Sequence, residues 1–188
     1  FGNILVFAPH SDDEAIDALG ATCRHVSGGD QVCIAFRRTS NDPSESANRR
    51  AEAPRSYEYP GVRCRFLDWN AEDLVSPVRA REDIRRMLLQ ETPALIYLPS
   101  PVNPNPEHIA VNELLSGLIS ASSFADSVRI GLYEVLAPIP AGIATGSIDL
   151  EREWSLKKQI LFDVYESQTT VLDFRSVLIV QWMLGTHS

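Results

Sequence analysis

Five short apolar runs recur along the chain, each followed by a stretch of helical character or by a turn-rich loop. This alternation constrains the fold more than any other feature. The runs are Asn3–Ala8, Gln31–Arg37, Val62–Leu67, Ala94–Leu98 and Val128–Val135. The first is unbroken (Ile4-Leu5-Val6-Phe7-Ala8), as expected of a strand buried on both faces. From about Asp12, Ala15, Leu19, Cys23 and Val26 recur every three or four positions, and Gly28-Gly29 closes that helix. Further helices are expected from about Ala47 (weakened by Pro54), over Val78–Glu91, over Glu107–Ser120 and over Leu150–Tyr165. Val177–Met183 reads equally as helix or edge strand. The pattern predicts an α/β fold, a mostly parallel sheet with helices on both faces joined by right-handed crossovers. A doubly wound order 3-2-1-4-5 makes strands one and four neighbours where the winding reverses. Their carboxyl ends then open into one crevice.

The 188 residues are read as a single domain over 1–188. A net charge of −8 disfavours nucleic acid or an anionic membrane as partner. No apolar run reaches the ~18 residues of a membrane span, and no signal-peptide pattern is present, so the expected location is cytoplasmic. Phe1 is not an initiator Met, which leaves a leader ahead of it open. Cys23, Cys33 and Cys64 are odd in number and lack C-x-x-C spacing, which argues against a disulfide framework or a Cys-rich metal site. Oligomeric state is left open, a homo-oligomer included.

The chemistry gathers at two loops. The first strand runs into Ala8-Pro9-His10-Ser11-Asp12-Asp13-Glu14, and the loop after the fourth ends in Asn105-Pro106-Glu107-His108. With strands one and four adjacent, His10, Asp13 and His108 form a zinc-type donor set of two imidazoles and a carboxylate. Asp12, one residue off, is free to act on a water molecule. Plainer readings exist for some of these residues. Ser11-x-x-Glu14 fits a capping box, and acidic residues in a first helical turn answer the helix dipole. Asn105-Pro106 reads as N-cap and first helical residue. None of this accounts for His10. A non-haem iron site uses the same donors but usually sits in an all-β barrel. A dinucleotide site would need G-x-G-x-x-G after the first strand.

The segment Ile4–Glu14, ending in Ala-Pro-His-Ser-Asp-Asp-Glu, resembles the Ala-His-Pro-Asp-Asp-Glu signature of the PIG-L/LmbE-like de-N-acetylases. Ser11 stands where that family has Pro. Pro106-Glu107-His108 with Ala110-Val111 resembles the family's His-Pro-Asp-His-x-Ala-Val segment. Arg49-x-x-Glu52, Tyr133-Glu134-Val135, and Lys158 followed by Tyr165-Glu166-Ser167-Gln168 echo later family segments in the same order. The resemblance spans about residues 3–168. It implies a Rossmann-like, metal-dependent hydrolase, usually with zinc, that removes an acetyl group from an N-acetylglucosamine-type sugar. The substrate is then a small-molecule sugar conjugate. By position, His10, Asp13 and His108 would be metal ligands and Asp12 the general base. Another divalent transition metal fits the same donors.

The chain departs from the family at one catalytic position. The first His of the second motif falls on Asn105, and its Asp on Glu107. Asn105 can donate a hydrogen bond to an oxyanion but cannot give the leaving amine a proton. Either Asp12 serves as base and then acid, or another group such as His25 or His187 enters, or the domain is a metal-retaining binding or regulatory module. Substrate contacts are expected from Arg49, from Asn41 in the loop Thr39-Ser40-Asn41-Asp42, and from Trp69 as a stacking platform. Arg49 reads equally as a helix residue paired with Glu52, and Trp69 as a packing residue. The Pro-rich loops 99–106 and 136–147 are expected at the pocket rim.

Overall fold

In the computed structural model the five runs form one parallel sheet. Its strands are β1 (Asn3–Ala8), β2 (Gln31–Phe36), β3 (Val62–Phe66), β4 (Leu95–Pro99) and β5 (Arg129–Tyr133), in the order β3-β2-β1-β4-β5. The structure describes residues 2–38, 40, 42–55, 61–135, 138–140, 142–145, 154–169, 173–176 and 178. The helices are α1 (Asp13–Ile16), α2 (Leu19–Ser27), α3 (Pro43–Arg55), α4 (Ala71–Val75), α5 (Val78–Glu91), α6 (Pro106–Ser120) and α7 (Trp154–Gln159). The last continues as a π turn over Ile160–Val164.

Strand β1 is central, with Val6 opposite Ile34 of β2 and Tyr97 of β4. Its unbroken apolar run serves two cores. Ile4, Val6 and Ala8, with Val32, Ile34 and Phe36 of β2, pack against Ile16, Leu19, Leu161 and Tyr165. Leu5 and Phe7, with Cys33 and Ala35, face Ile84, Met87 and Leu88 of α5 and Val111, Leu115 and Ile119 of α6. Burial on both faces explains why β1 lacks the in–out alternation of a one-sided sheet. The winding reverses between β1 and β4, so the loops leaving these strands meet above their carboxyl ends.

Helix boundaries differ from the sequence-based expectation in four places. The helix expected from Asp12 is two helices, because Asp17 leaves helical geometry at φ −135°. Helix α3 starts at Pro43 rather than near Ala47. Asp42 Oδ1 accepts from the Ser44 and Glu45 amides, and Pro43 needs no partner in the first turn. Helix α4 was not expected at all. Asn70 and Asp73 form a reciprocal capping box that stabilises its five residues. Of the helix expected over Leu150–Tyr165, residues 150–153 lie outside the described residues; Trp154–Gln159 is helical and changes to a π turn at Ile160.

Edge strand β5 supplies a stability test. A Cβ on Gly131 would lie 2.8 Å from the Tyr97 ring, which is tethered through its hydroxyl to His25 Nε2 at 3.1 Å. Gly131→Ala is therefore expected to destabilise the protein by about 1–3 kcal/mol through overpacking, as read by denaturant unfolding. An unchanged midpoint would show that the ring moves aside freely.

Candidate metal centre

The ends of β1 and β4 bring His10, Asp13 and His108 together. Asp13 opens α1, and His108 lies in the first turn of α6, whose start is set by Asn105 and Pro106. His10 Nδ1, His108 Nε2 and Asp13 Oδ2 form a triangle with edges of 3.1, 3.3 and 3.4 Å. Ligands about 2.0–2.2 Å from a tetrahedral zinc lie about 3.3–3.5 Å from one another. The three donors thus have the chemistry and nearly the mutual spacing of three corners of such a site. Asp13 and His108 are buried.

The far side of His10 is equally specific. His10 Nε2 lies 2.7 Å from Glu107 Oε2, which accepts a second bond from Arg37 Nη2 at 2.7 Å. A carboxylate bonded to the outer nitrogen fixes the ring's orientation and leaves Nδ1 for a metal. Burial works to lower the pKa of His10, but the Asp13 and Glu107 carboxylates outweigh it and raise it to about 10. The Glu107 carboxylate is held at about 2, through its bond to His10 and the Arg37 charge. Burial pushes His108 below the ordinary imidazole value. Its Nδ1 is buried without a partner among the described residues. Arg37 was not anticipated. The available signal was a charge closing the apolar run Val32–Phe36.

Asp12 is nearly fully buried, and its side chain makes no capping bond. The capping box read from Ser11 and Glu14 does not form. Ser11 Oγ is buried without a partner among the described residues, and Glu14 Oε2 instead accepts from the Asp12 amide at 3.1 Å. Glu14 Oε1 accepts a short bond from the Tyr165 hydroxyl. Asp12 itself sits at φ 155°, an unfavourable conformation for a residue with a Cβ. Its carbonyl accepts from the Ala15 and Ile16 amides, both at 2.9 Å. The peptide is thus clamped from both sides. Burial, reinforced by the Asp13 charge, pushes the Asp12 carboxyl well above the usual range. Asp13 responds oppositely. Burial would raise it, but the bond and charge of His10 hold it low.

Glu14 carries a pH signature. Burial lifts its carboxyl from the ordinary 4.5 to about 8, against the Tyr165 bond. Between those values the folded chain binds more protons than the unfolded chain, so stability falls as pH rises from 4.5 through 8. In metal-free protein, Glu14→Gln is expected to flatten that slope in denaturant titrations at several pH values. A slope unchanged in the variant would assign it to another group.

The remaining expected site residues are placed as follows. Arg49 lines a crevice of about 330 Å³ beside His10, together with Arg37, Arg38 and Glu107. It makes an ion pair with Glu45 at 3.5 Å, and Glu52 accepts from the Ser167 amide and hydroxyl. Trp69 is fully buried, donates to Asp83 at 3.0 Å and packs on Phe7. That is the packing alternative, and it presents no ring face for stacking. Asn105 Oδ1 caps α6 by accepting from the Glu107 amide at 2.9 Å. His25 bonds Asp30 and Tyr97 at the opposite edge of the sheet, away from the centre. Asn41 and His187 lie outside the described residues. Residues 99–106 do not line the crevice; its wall comes from the segment between β2 and α3 instead.

A family model described as PIG-L, GlcNAc-PI de-N-acetylase, matches residues 5–119, more than half of the chain. The chain belongs to the PIG-L family. Solved structures carry the same PIG-L fold. A conserved protein of Thermus thermophilus aligns with TM-score 0.76 and 17% identity over 97% of this chain and 86% of that one. The N,N'-diacetylchitobiose deacetylase of Pyrococcus horikoshii aligns with TM-score 0.71 and 22% identity over 89% and 70%. The 4-carboxy-2-hydroxymuconate hydratase of Pseudomonas putida aligns with TM-score 0.65 and 17% identity over 100% and 91%. At these identities the likeness establishes the fold. No curated protein sequence matches the chain. No helix among the described residues is long and apolar enough to cross a membrane.

Proposed function

We propose that the protein is a metal-dependent hydrolase. It removes an N-acetyl or similar N-acyl group from an N-acetylglucosamine-type sugar conjugate, with residues 1–188 acting as one domain. The observation that carries this reading is the His10–Asp13–His108 triangle beside a buried Asp12 with raised proton affinity. Membership of the PIG-L family supports it.

His10, Asp13 and His108 would hold zinc or another divalent transition metal. Such an ion, when bound, would supply a Lewis acid for the amide carbonyl and would lower the pKa of the attacking water from ~15.7 towards about 7. Asp12 accepts the proton of that water as its oxygen adds to the carbonyl carbon. The carbon–nitrogen bond then breaks, and the amine must leave with a proton. Asn105 has none to give and its carbonyl oxygen is committed to the α6 cap. Asp12, protonated in the first step, returns it. Glu107 holds His10 in one tautomer, and Arg37 holds Glu107.

The test is mass-spectrometric detection of free amine and acetate from N-acetylglucosamine glycosides incubated with zinc-loaded protein. Release of the amine supports the reading. If no conjugate is cleaved despite stoichiometric zinc, the hydrolase reading fails. The second reading then takes its place, a metal-retaining carbohydrate-binding or regulatory module, which the capping role of Asn105 favours. Hydration of an unsaturated acid with no amide cleavage would instead align the chain with its hydratase neighbour.

A further inference from the structure

The crevice beside His10 carries an unusual balance of hydrogen-bonding capacity. Three carboxylates line it, and all are engaged. Glu107 accepts from His10 and Arg37, Glu45 from Ser40 with Arg49 alongside, and Asp42 from Ser44 and the first amides of α3. The three guanidiniums are not all engaged. Arg38 lines the crevice, half-buried, with no ion pair or side-chain hydrogen bond among the described residues. Its neighbour Arg37 is fully buried. Arg37 spends Nη2 on Glu107 and Nε on Pro9 O, but leaves Nη1 unpartnered among the described residues. The capacity left open to the crevice is therefore made of the donors of Arg38, next in sequence to the buried Arg37.

A sugar hydroxyl could accept from these donors but would leave their charge as it is. Arg37 and Arg38 are close enough for their like charges to oppose each other, and the Glu107 charge, which acts on both, is already shared between Arg37 and His10. Only an anion both accepts the hydrogen bonds and relieves that repulsion, and a guanidinium fork matches a carboxylate or phosphate edge. The protein as a whole has a net charge of −8, so a guanidinium with no ion pair among the described residues, beside the candidate centre, stands against its background. Arg37 reaches Glu107 and the outer nitrogen of His10, on the opposite side of that ring from the three converging donors. The anion is accordingly a substituent distinct from the acyl group that is removed.

We infer that this crevice recognises an anionic group, a carboxylate or phosphate, carried by the sugar conjugate, with Arg38 as its ionic contact. The inference rests on the proposed de-N-acylase reading for the rest of the substrate, but not for the binding of the anion. Three probes separate the cases: methyl N-acetylglucosaminide (neutral), N-acetylmuramic acid (carboxylate) and N-acetylglucosamine 1-phosphate. Each is titrated calorimetrically into metal-loaded protein at low ionic strength and assayed in parallel for amine release. At least one acidic probe is expected to bind tenfold or more tightly than the neutral one, and to lose that advantage at high salt. Arg38→Ala is expected to collapse the preference at least tenfold, through KM rather than kcat where turnover is seen, and Arg38→Lys to retain part of it. A carboxylate-only or phosphate-only preference identifies the anion. Equal affinity for all three probes, no binding of any, or a preference that survives in Arg38→Ala overturns the inference. Deacylation of the neutral probe at an equal rate would do so while sustaining the hydrolase reading. Tight acidic binding without cleavage would sustain the inference and overturn the hydrolase reading.

Discussion

Asp12→Asn lowers amine release about 10²- to 10⁴-fold and leaves metal content unchanged. This is the outcome expected from where Asp12 sits. Its neighbour Asp13, and not Asp12, completes the triangle with His10 and His108, so the substitution removes no metal donor. Asn has the volume of Asp but no basicity. It meets the backbone at φ 155° with the same side-chain volume as Asp. Ala would confound the result by releasing the strained peptide. The Glu14 contact with the Asp12 amide and the carbonyl bonds to Ala15 and Ile16 are backbone bonds that Asn leaves intact. The expected pattern is thus a folded, metal-loaded, nearly inactive protein, read by amine release beside elemental analysis. A rate within threefold of wild type would remove Asp12 from the mechanism. Loss of metal together with activity would make it a ligand instead.

A second consequence concerns the return of the proton. If Asp12 is both base and acid, replacing Asn105 by His supplies an acid at the family's usual position but removes the α6 cap. N-cap removal typically costs about 1 kcal/mol, so any gain in rate has to be read against a lower unfolding midpoint.

Much of this arrangement was legible in the sequence because it lies in local patterns. The apolar runs specified the strands, and their alternation with helices admits the doubly wound order 3-2-1-4-5, which the structure has. That order alone brings His108 to His10 across 98 residues. What could not be read was the use of side chains whose partners are distant. Glu14 looked like half of a capping box, yet its partner is Tyr165, 151 residues away. Arg49-x-x-Glu52 reads as a local pair within one helix, and nothing in the sequence signals that Glu52 also holds Ser167, 115 residues away, or that Arg49 pairs with Glu45. The later segments of the resemblance prove to be braces on the first motif and on α3. Tyr165 secures Glu14, Ser167 secures α3, and the Tyr133 hydroxyl donates to Phe7 O at 2.8 Å, one residue before Ala8. Trp69 failed as a stacking platform for the opposite reason. Its indole N–H found a partner in Asp83 inside the second core, and an aromatic ring with its polar atom satisfied packs as readily as it stacks.

His108→Gln is expected to abolish stoichiometric zinc binding and, with it, the thermal stabilisation that zinc confers on the wild type. His108 supplies one edge-forming donor to each of the other two, so its loss leaves His10 and Asp13 as a two-donor pair. Gln keeps most of the side-chain volume at a site that is 1% exposed, which separates loss of metal from a collapsed core. An ion that binds only the folded state at a concentration 1,000-fold above Kd stabilises by about 4.1 kcal/mol. The zinc-dependent rise in Tm should therefore be large in the wild type and absent in the variant. Glu107→Gln tests the support of His10, and a change in such an outer partner typically weakens metal binding about 10- to 100-fold. The pH dependence has a definite sign. In the metal-free protein His10 holds a proton up to about pH 10, and metal must displace it. Apparent affinity should therefore rise with pH across the neutral range, by up to about tenfold per unit for one displaced proton. Glu107→Gln removes one of the carboxylates that hold that proton, so the rise in its affinity should level off at a lower pH even as binding weakens. Full zinc content in His108→Gln, with the same Tm response as wild type, would show that the triangle of imidazoles and carboxylate is not the metal site. Weakened binding in Glu107→Gln with the levelling-off pH unchanged would place the displaced proton on a group other than His10.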